Sequence, residues 1–328
     1  MSTPSMISAR EACEIIKGLG DTVICTHRRP DGDTVGTAAA LALLLREMGK
    51  RAVITCADPI PERLEFVLAD LPAVDRDEAL RLKNGGWCVV SVDVASPFQL
   101  GALYELLPDQ ELVIDHHSVS SPFAPTYCLP DAPSASLVLY GLVEELSKEG
   151  KDYLTHAVAE AIYTALSSDT GCFRFSNSTP DAHLVAARLL SVGVDGARIN
   201  RLLFDSKPKE QIKAEGFIAA STTVLDSGIS YASVTLDDLA ALGLGSEHFE
   251  TAIDVVRSVR GTEIAILAKE TERGSYKISM RSTETDVASI AARFGGGGHI
   301  RASGCMLFGE LEEVIDKLSY TVSQYLED

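Results

Sequence analysis

An alternation of short apolar segments with helical segments runs through the first half of the chain and restricts the folds open to it. Two segments, 34–48 and 98–107, have the composition and spacing of helices. The apolar segments are bounded by Gly, Pro and Asp and are predicted to be buried strands, at 22–26, 52–55, 87–92 and 111–114. Because strands that alternate with helices form parallel sheets covered on both faces, we predict an α/β fold with a mainly parallel, doubly wound sheet.

The rest of the chain indicates a second, smaller α+β domain. Helical spacing continues at 134–146, 154–166 and 179–190, and the stretch from 200 to about 223 is helical and more charged. Beyond it, strands are predicted at 229–235, 264–268 and 277–280, and helices at 252–259, 286–294 and 310–326. We therefore predict a first domain over 1–192, a helical connector over 193–224 and a second domain over 225–328.

Composition indicates a soluble protein with two globular cores. Hydrophobic residues make up 46% and charged residues 23% of the 328 residues. Residues 1–10 lack the apolar region of a secretory signal, and the longest apolar run, 38–45, is too short to span a bilayer. The seven cysteines form no CxxC pair and are odd in number, which favours free thiols in a reducing compartment. We expect a cytoplasmic protein with no membrane partner.

The formal net charge of −18 excludes tight binding of long duplex nucleic acid, because that needs a basic face. Two interpretations of the acidity stay open at this point. The carboxylates simply keep the protein in solution, or some of them hold divalent cations that reverse the local sign of the electrostatic field. Composition does not choose between them.

Candidate metal ligands follow the first predicted strand. His27, Asp31 and Asp33 lie on the loop before the 34–48 helix, and Pro30 and Gly32 stiffen and bend this loop so that the three side chains can converge. A strand end of this kind is where open α/β sheets bind their ligands. The structural alternatives are an N-cap role for Asp33 and an ordinary turn at Asp31.

Similar residues recur at later strand and helix ends. Asp93 ends one predicted strand, Asp115, His116 and His117 follow another, and Asp169 closes the 154–166 helix. Each carboxylate has a structural alternative as a cap or turn residue. Because separate strands bring carboxylates and imidazoles to one edge of a sheet, Mn²⁺, Mg²⁺, Co²⁺ and Zn²⁺ are all suitable ions, and the absence of thiolates disfavours a structural zinc site. Shortly after Asp169, Arg174 is a candidate phosphate contact.

A run of four glycines, 295–298, precedes His299 near the end of the chain. Glycine lets backbone amides approach an anion closely, since no Cβ intervenes. Arg281, Arg293 and Arg301 lie close by in the sequence of a chain that is otherwise acidic. A phosphate pocket therefore explains this segment better than a flexible loop with an incidental histidine.

Taken in order, His27-x-x-x-Asp31-x-Asp33, Asp93, Asp115-His116-His117 and Asp169 resemble the four motifs of the DHH phosphoesterase superfamily, nanoRNase/pAp phosphatase type. The segment with Arg281 and the glycine run resembles the DHH-associated C-terminal domain. This likeness covers nearly the whole chain. It departs at Gln99, where many relatives carry a basic residue, so a secondary phosphate contact or an ion pair is expected to be missing.

The resemblance implies a two-metal centre, with Mn²⁺ as the expected ion and Mg²⁺ or Co²⁺ as alternatives. It assigns His27 and Asp31 to one ion, Asp33, His116 and Asp169 to the other, and Asp93 to both. Asp115 would orient a neighbouring histidine, and His117 would contact the scissile phosphate or protonate the leaving oxygen. The substrate-binding residues that it implies are Arg281, Gly296, Gly297, Gly298 and His299.

The function expected from this resemblance is hydrolysis of short oligoribonucleotides, such as nanoRNA and pApA, to mononucleotides, and of pAp to AMP. The second domain would anchor a terminal phosphate or base and so restrict the substrate to short chains. Two alternatives stay open, a cyclic dinucleotide phosphodiesterase and a non-catalytic nucleotide-binding regulator on the same fold. Whether the protein forms a homodimer also stays open.

Overall fold

The computed structural model describes residues 5–118, 120–225 and 228–326, without the side chains of Asp109 and His299. The chain divides into two compact units, Met1–Ser206 and Lys207–Asp328. The predicted connector, 193–224, has residues in both units and stays a prediction. Within the described ranges, no helix combines the length and the apolar character needed to cross a membrane.

The first unit is built on a seven-stranded sheet in which every neighbouring pair of strands is parallel. The strands are β1 (Ser5–Met6), β2 (Thr22–Cys25), β3 (Ala52–Thr55), β4 (Ala73–Val74), β5 (Cys88–Val92), β6 (Gln110–Asp115) and β7 (Pro125–Cys128). Their order across the sheet is β1-β7-β6-β5-β2-β3-β4. The predicted parallel sheet is confirmed, and β2, β5 and β6 occupy adjacent positions near its centre.

Helices cover both faces of this sheet, as predicted. They are α1 (Ala9–Gly18), α2 (Gly32–Glu47), α3 (Glu65–Leu68), α4 (Arg76–Asn84), α5 (Ala135–Ser147), α6 (His156–Asp169), α7 (Pro180–Ser191) and α8 (Gly196–Asn200). Alternate residues of one strand point to opposite faces. In β2, Ile24 packs in the core with α1, α2, α5 and α6, whereas Val23 packs with α4 and the 3₁₀-helical segment Pro97–Asp109.

Helix α2 is the central helix of the first unit and is buried on nearly all sides. Its N-cap is Asp31, whose Oδ1 accepts hydrogen bonds from the backbone N–H groups of Asp33 and Thr34 at 3.0 and 3.1 Å. The N-cap role considered for Asp33 is therefore wrong, because Asp33 lies inside the first helical turn. The cap fixes the direction in which this turn presents its side chains.

We predict that Gly36→Val lowers the free energy of unfolding of the first unit by about 3 kcal/mol, because the backbones of α2 and α6 meet at this residue. A Cβ on Gly36 would lie 2.7 Å from the Cβ of Ala165 and 3.0 Å from the carbonyl oxygen of Ala161. The matched control is Gly141→Ala on α5, where no atom lies within 4 Å of the new Cβ. That change should raise stability by about 0.5–1 kcal/mol. Denaturant unfolding followed by circular dichroism measures both, and equal stabilities would contradict the close helix contact.

The second unit is the predicted α+β domain. Its six-stranded sheet has the order β12-β13-β11-β10-β9-β8, with β9 and β10 parallel and the other neighbours antiparallel. The strands are β8 (Thr223–Leu225), β9 (Ile229–Val234), β10 (Ile264–Glu272), β11 (Ser275–Ser282), β12 (Gly297–His299) and β13 (Ala302–Phe308). The helices are α9 (Lys209–Ser221), α10 (Leu236–Leu242), α11 (Ile253–Arg257), α12 (Val287–Ala292) and α13 (Leu311–Leu326).

Candidate metal centre

Three adjacent parallel strands bring the predicted ligands to one edge of the first sheet. His27 lies two residues after the end of β2, Asp93 directly follows β5, and Asp115 is the last residue of β6. The carboxyl ends of neighbouring parallel strands share an edge, which is where open α/β sheets bind ligands. The side chains that the sequence places far apart therefore converge at this edge.

His27 and two carboxylates form one group of candidate ligands. The Nε2 atom of His27 lies 3.3 Å from Asp93 Oδ2 and 3.8 Å from Asp31 Oδ2. The other ring nitrogen, Nδ1, lies 2.8 Å from the carbonyl oxygen of Arg28. That contact holds the ring so that Nε2 faces the carboxylates, an arrangement typical of metal-binding histidines.

His116 lies at the centre of a second group. Its Nε2 atom is 3.6 Å from Asp33 Oδ2, 3.5 Å from Asp93 Oδ1 and 4.0 Å from Asp169 Oδ2. Its Nδ1 atom lies 3.0 Å from the carbonyl oxygen of Ala132, so this ring is oriented in the same way as that of His27. The six residues predicted as metal ligands thus form two groups, one of His27, Asp31 and Asp93 and one of Asp33, His116 and Asp169, and Asp93 Oδ1 is also close to His116. A third possible ligand group joins Asp93, His116 and His117.

Asp93 lies between the two groups in a buried, left-handed conformation. Its side chain presents Oδ2 to His27 and Oδ1 to His116. Its φ is +58°, a region that costs most L residues energy and that Asp and Asn tolerate best. Among the described residues, its buried Oδ1 has no hydrogen-bond partner. An unpartnered buried carboxylate oxygen needs a compensating cation or donor, so its position fits a bound metal ion.

Asp33 and Asp169 are held by hydrogen bonds from the start of α5 and from the turn that follows α6, respectively. Asp33 is 1% exposed, and its carboxylate accepts hydrogen bonds from the N–H groups of Ala135 and Ser136, in the first turn of α5, at 2.8 and 3.3 Å. The Asn177 side chain donates to the Asp169 carbonyl oxygen at 3.2 Å and reaches its Oδ2 at 3.5 Å. The role of Asn177 was not predicted from the sequence, although a polar residue shortly after Asp169 is a signal for it.

Asp115 and His117 form a hydrogen-bonded pair beside the two groups. His117 Nδ1 lies 2.7 Å from Asp115 Oδ1 and 3.6 Å from Asp93 Oδ1. The His117 N–H also donates to Asp115 Oδ1, at 3.3 Å. Asp115 is fully buried, and these bonds fix the imidazole orientation, which is the arrangement expected of an orienting carboxylate.

The pKa values in this cluster report an excess of negative charge. Burial lowers the pKa of His27, but the contacts with Asp31 and Asp93 outweigh burial and raise it to about 11. For His116, contacts with Asp93 and the charge of Asp33 likewise outweigh burial and raise the pKa to about 10. Burial, together with nearby carboxylates, raises the pKa of Asp169 to about 7 and the pKa of Asp33 well above its usual value. A ligand set of carboxylate oxygens and imidazole nitrogens with this negative charge is suited to hard or borderline divalent cations.

The predicted substrate residues of the second unit lie at one end of its sheet. Arg281 on β11 is in register with Ala302 on β13, which in turn is in register with His299 on β12. The backbone thus places Arg281 and His299 on one face, two strands apart, while the side chain of His299 is outside the described part of the structure. Burial lowers the pKa of Arg281, and its Nη1 donates to the Met280 carbonyl at 3.0 Å.

The structure requires glycine at some positions of this segment and not at others. A Cβ on Gly296 would lie 2.2 Å from the Gly304 carbonyl oxygen, and one on Gly298 would lie 2.5 Å from that of Ala302. These two glycines are required by the close approach of β13. A Cβ on Gly297 would meet no atom within 4 Å, so packing does not explain that glycine.

Arg174 is partly engaged within the first unit. Its Nε donates to the Gly171 carbonyl oxygen at 2.6 Å, and its guanidinium lies 5.6 Å from the ring centroid of Phe204. The side chain is exposed, and its assignment as a phosphate contact stays a prediction.

This fold and cluster define an α/β protein with a candidate two-ion centre, joined to a smaller α+β unit. The sequence profile described as "DHH family, N-terminal domain" matches residues 21–166, and that of the DHHA1 domain matches residues 231–328. The chain therefore contains a DHH family N-terminal domain and a DHHA1 domain.

Similar proteins cover nearly the whole chain. The "Bifunctional oligoribonuclease and PAP phosphatase NrnA" of Thermus thermophilus is 29% identical over 324 residues, 97% of this chain and 94% of that protein. The Bacillus subtilis protein of the same name is 26% identical over 296 residues, 88% of this chain and 90% of that protein. A crystal structure of an exopolyphosphatase-related protein from Bacteroides fragilis has a TM-score of 0.89 at 21% identity, covering 97% of this chain and 96% of that chain. At that identity the structural likeness shows the fold alone.

Proposed function

We propose that this protein is a metal-dependent phosphoesterase that hydrolyses short oligoribonucleotides, including pApA, to mononucleotides and converts pAp to AMP. The names of the two most similar relatives described above support this substrate class. The observation that carries the proposal is the position of the buried Asp93 carboxylate. Its Oδ2 faces His27 and its Oδ1 faces His116. Among the described residues, Oδ1 has no hydrogen-bond partner.

The two groups of side chains have distinct binding roles in this proposal. His27, Asp31 and Asp93 hold one divalent cation, and Asp33, His116, Asp169 and Asp93 hold the other, with Mn²⁺ as the proposed ion. Divalent cations bound there supply Lewis acidity that lowers the pKa of water and neutralises charge growing on the phosphoryl oxygens. The chain contributes rigid placement, since the carbonyls of Arg28 and Ala132 hold the two imidazole rings.

His117 is the proposed contact to the reacting phosphate or proton donor to the leaving oxygen. The hydrogen bond that the His117 ring makes to the Asp115 carboxylate is the main cause that raises the pKa of His117 above its usual value. A raised pKa favours the protonated imidazole, which can donate a proton or pair with a phosphoryl oxygen. Asp115 acts through His117 by fixing its ring.

A panel of substrates tests the proposal. Wild-type protein with Mn²⁺ or Mg²⁺ should release AMP from pApA, pAp and two- to five-nucleotide RNAs faster than from a 24-nucleotide RNA, since the net charge of −18 repels long polyanions. Cyclic di-AMP is included because a preference for it would favour the cyclic dinucleotide alternative. No metal-dependent release from any of these substrates would refute the proposal and leave a nucleotide-binding regulator.

Arg281→Ala should raise the KM for pApA about tenfold and change kcat by less than twofold, because the proposed role of Arg281 is a charge-assisted contact to a terminal phosphate or base. Steady-state kinetics on the full chain measures both constants. The matched control is Arg260→Ala, which removes an exposed arginine from the same unit and should leave KM unchanged. A fall in kcat at unchanged KM would contradict a binding role for Arg281.

The proposed place of action is the cytoplasm. All seven cysteines are free thiols, and four of them, Cys13, Cys25, Cys128 and Cys305, are buried. Free thiols are typical of a reducing compartment and support this location.

A further inference from the structure

Two loops at the metal-ligand edge of the first unit are tied to each other. One is the segment 27–31, which carries His27 and Asp31, and the other is the segment 95–101 that follows Asp93. The Arg28 N–H donates to the Gln99 carbonyl oxygen at 2.7 Å. The Gln99 side chain in turn accepts from the N–H groups of Ala95 and Ser96 at 2.6 and 3.3 Å. The Gln99 side chain therefore orders its own loop, and the backbone carbonyl of the same residue ties that loop to the segment 27–31.

The first of these loops presents two arginines to solvent. Arg28 and Arg29 are both exposed, and among the described residues neither guanidinium has a carboxylate within ion-pair distance. The stem of Arg28 packs along Gly101, where a Cβ would lie 3.5 Å from Arg28 Cβ. The backbone of Arg29 has a φ of +55° and donates its N–H to Asp58 Oδ2 at 2.8 Å. Backbone strain of this kind persists where the surroundings over-determine it and clusters at ligand sites.

The second loop presents an aromatic ring. Phe98 is 80% exposed and is bonded in sequence to Gln99, whose carbonyl accepts the hydrogen bond from Arg28. A phenyl ring this exposed contributes little to the core, and the backbone hydrogen bond between Arg28 and Gln99 brings its loop beside the loop that carries the two arginines. An exposed aromatic ring beside guanidinium groups is the combination that binds single-stranded nucleotides, by stacking and by pairing with phosphate.

We propose that Arg28, Arg29 and Phe98 form a subsite for the nucleotide that flanks the scissile phosphate. Phe98 stacks on the base of that nucleotide, and the two arginines pair with its other phosphate. The inference rests on the proposed phosphoesterase function and adds a specificity determinant to it. Its ligands are oligoribonucleotides that carry a phosphate beyond the one that is cleaved.

The Arg28→Gln/Arg29→Gln double variant tests the phosphate contact. For pApA, kcat/KM should fall at least about tenfold, mainly through KM and less at 0.5 M KCl, since charge-assisted contacts are screened by salt. For bis(p-nitrophenyl) phosphate, which has no second phosphate, kcat/KM should change by less than about twofold. The control Arg81→Gln/Arg51→Gln removes the same charge from two exposed arginines and should leave both substrates unaffected.

Base stacking on Phe98 is tested by a thermodynamic cycle that combines a substitution of Phe98 with removal of a base from the substrate. Phe98→Ala should lower kcat/KM for pApA about tenfold, and Phe98→Trp should restore it, because stacking tolerates any aromatic ring. On the two pApA analogues that each lack one base, Phe98→Ala should lose its effect on one and keep it on the other. Thermal melting of each variant confirms that it is folded.

The possible outcomes separate this inference from the proposed function. Equal losses on pApA and on bis(p-nitrophenyl) phosphate would show that the arginines act on the metal centre, and no loss on pApA would show that they do not bind substrate. An effect of Phe98→Ala that is the same on both base-deleted analogues would remove the stacking role. Any of these results overturns the subsite while the wild-type enzyme still cleaves pApA. Failure of the wild-type enzyme with every metal would instead refute the proposed function.

Discussion

Replacing Asp93 with Asn will lower kcat for pApA by about 10³-fold in excess Mn²⁺, while the protein stays folded. Asp93 is the residue that both ligand groups share, with its carboxylate oxygens 3.3 Å from His27 Nε2 and 3.5 Å from His116 Nε2. The amide has no negative charge and offers one weak oxygen ligand in place of two. Both groups therefore lose their common anion through a single substitution.

Asparagine is chosen for this test because Asp93 has a φ of +58°, which Asn adopts readily. Asp93→Ala would add a backbone cost of about 1 kcal/mol and confuse lost activity with lost stability. The matched control is Asp70→Asn, which removes an exposed carboxylate that pairs with Arg46 on the protein surface. If Asp93→Asn kept more than about a tenth of wild-type kcat while Asp70→Asn was unaffected, the shared-ligand assignment would be wrong.

Removing divalent cations will abolish turnover and lower the melting temperature of the first unit. The cluster has several carboxylates in a buried site, where burial and mutual repulsion raise the pKa of Asp33 and Asp169. Cations that bind only the folded state stabilise it by about 2.7 kcal/mol when their free concentration is 100 times Kd. Calorimetry after chelation and after return of Mn²⁺ should therefore show the melting transition of the first unit shift by several degrees, with the transition of the second unit unchanged.

The same scan on Asp93→Asn provides the control. Its melting temperature should respond much less to Mn²⁺, since both ligand groups lose their shared carboxylate. If chelated wild-type protein cleaved pApA at the untreated rate, the activity would not depend on a metal ion. A Mn²⁺ shift of equal size in the variant would place the stabilising ions elsewhere in the chain.

The placement of the main ligands could be predicted because it depends on regular geometry. Strands β2, β5 and β6 have clear apolar patterns, and parallel strands necessarily bring their carboxyl ends to one edge. The sequence therefore predicts that His27, Asp93 and His116 lie in one site. The prediction of β3 at 52–55 agrees with its observed bounds, because the strand is a short apolar run between turns.

Other parts of the site depend on contacts between distant residues that no local pattern encodes. The backbone N–H groups of Ala135 and Ser136 that hold Asp33 lie about a hundred positions away in the chain. The carbonyl of Ala132 orients His116 through an irregular segment before α5. None of these three residues has a distinctive side chain, so their roles appear only when the helices are packed.

Local sequence patterns also do not predict very short strands or strands at the edge of a sheet. Strand β12 contains two glycines, which have low strand propensity, and forms only because Gly296 and Gly298 let it approach β13. The two-residue strands β1 and β4 are too short to show an apolar alternation. In the second unit, β13 is not predicted from the sequence, because Ser303 and Gly304 interrupt its apolar pattern near the start of the strand.

The most direct test of the central claim is to count bound Mn²⁺ by native mass spectrometry while measuring pApA hydrolysis in the same samples. A two-ion centre should bind two Mn²⁺ per chain at saturation, with turnover that rises as the second ion binds, and Asp93→Asn should lose both the ions and the turnover. A wild-type chain that binds no Mn²⁺, or that reaches full turnover with none bound, would show that the ligand cluster is not a catalytic metal centre.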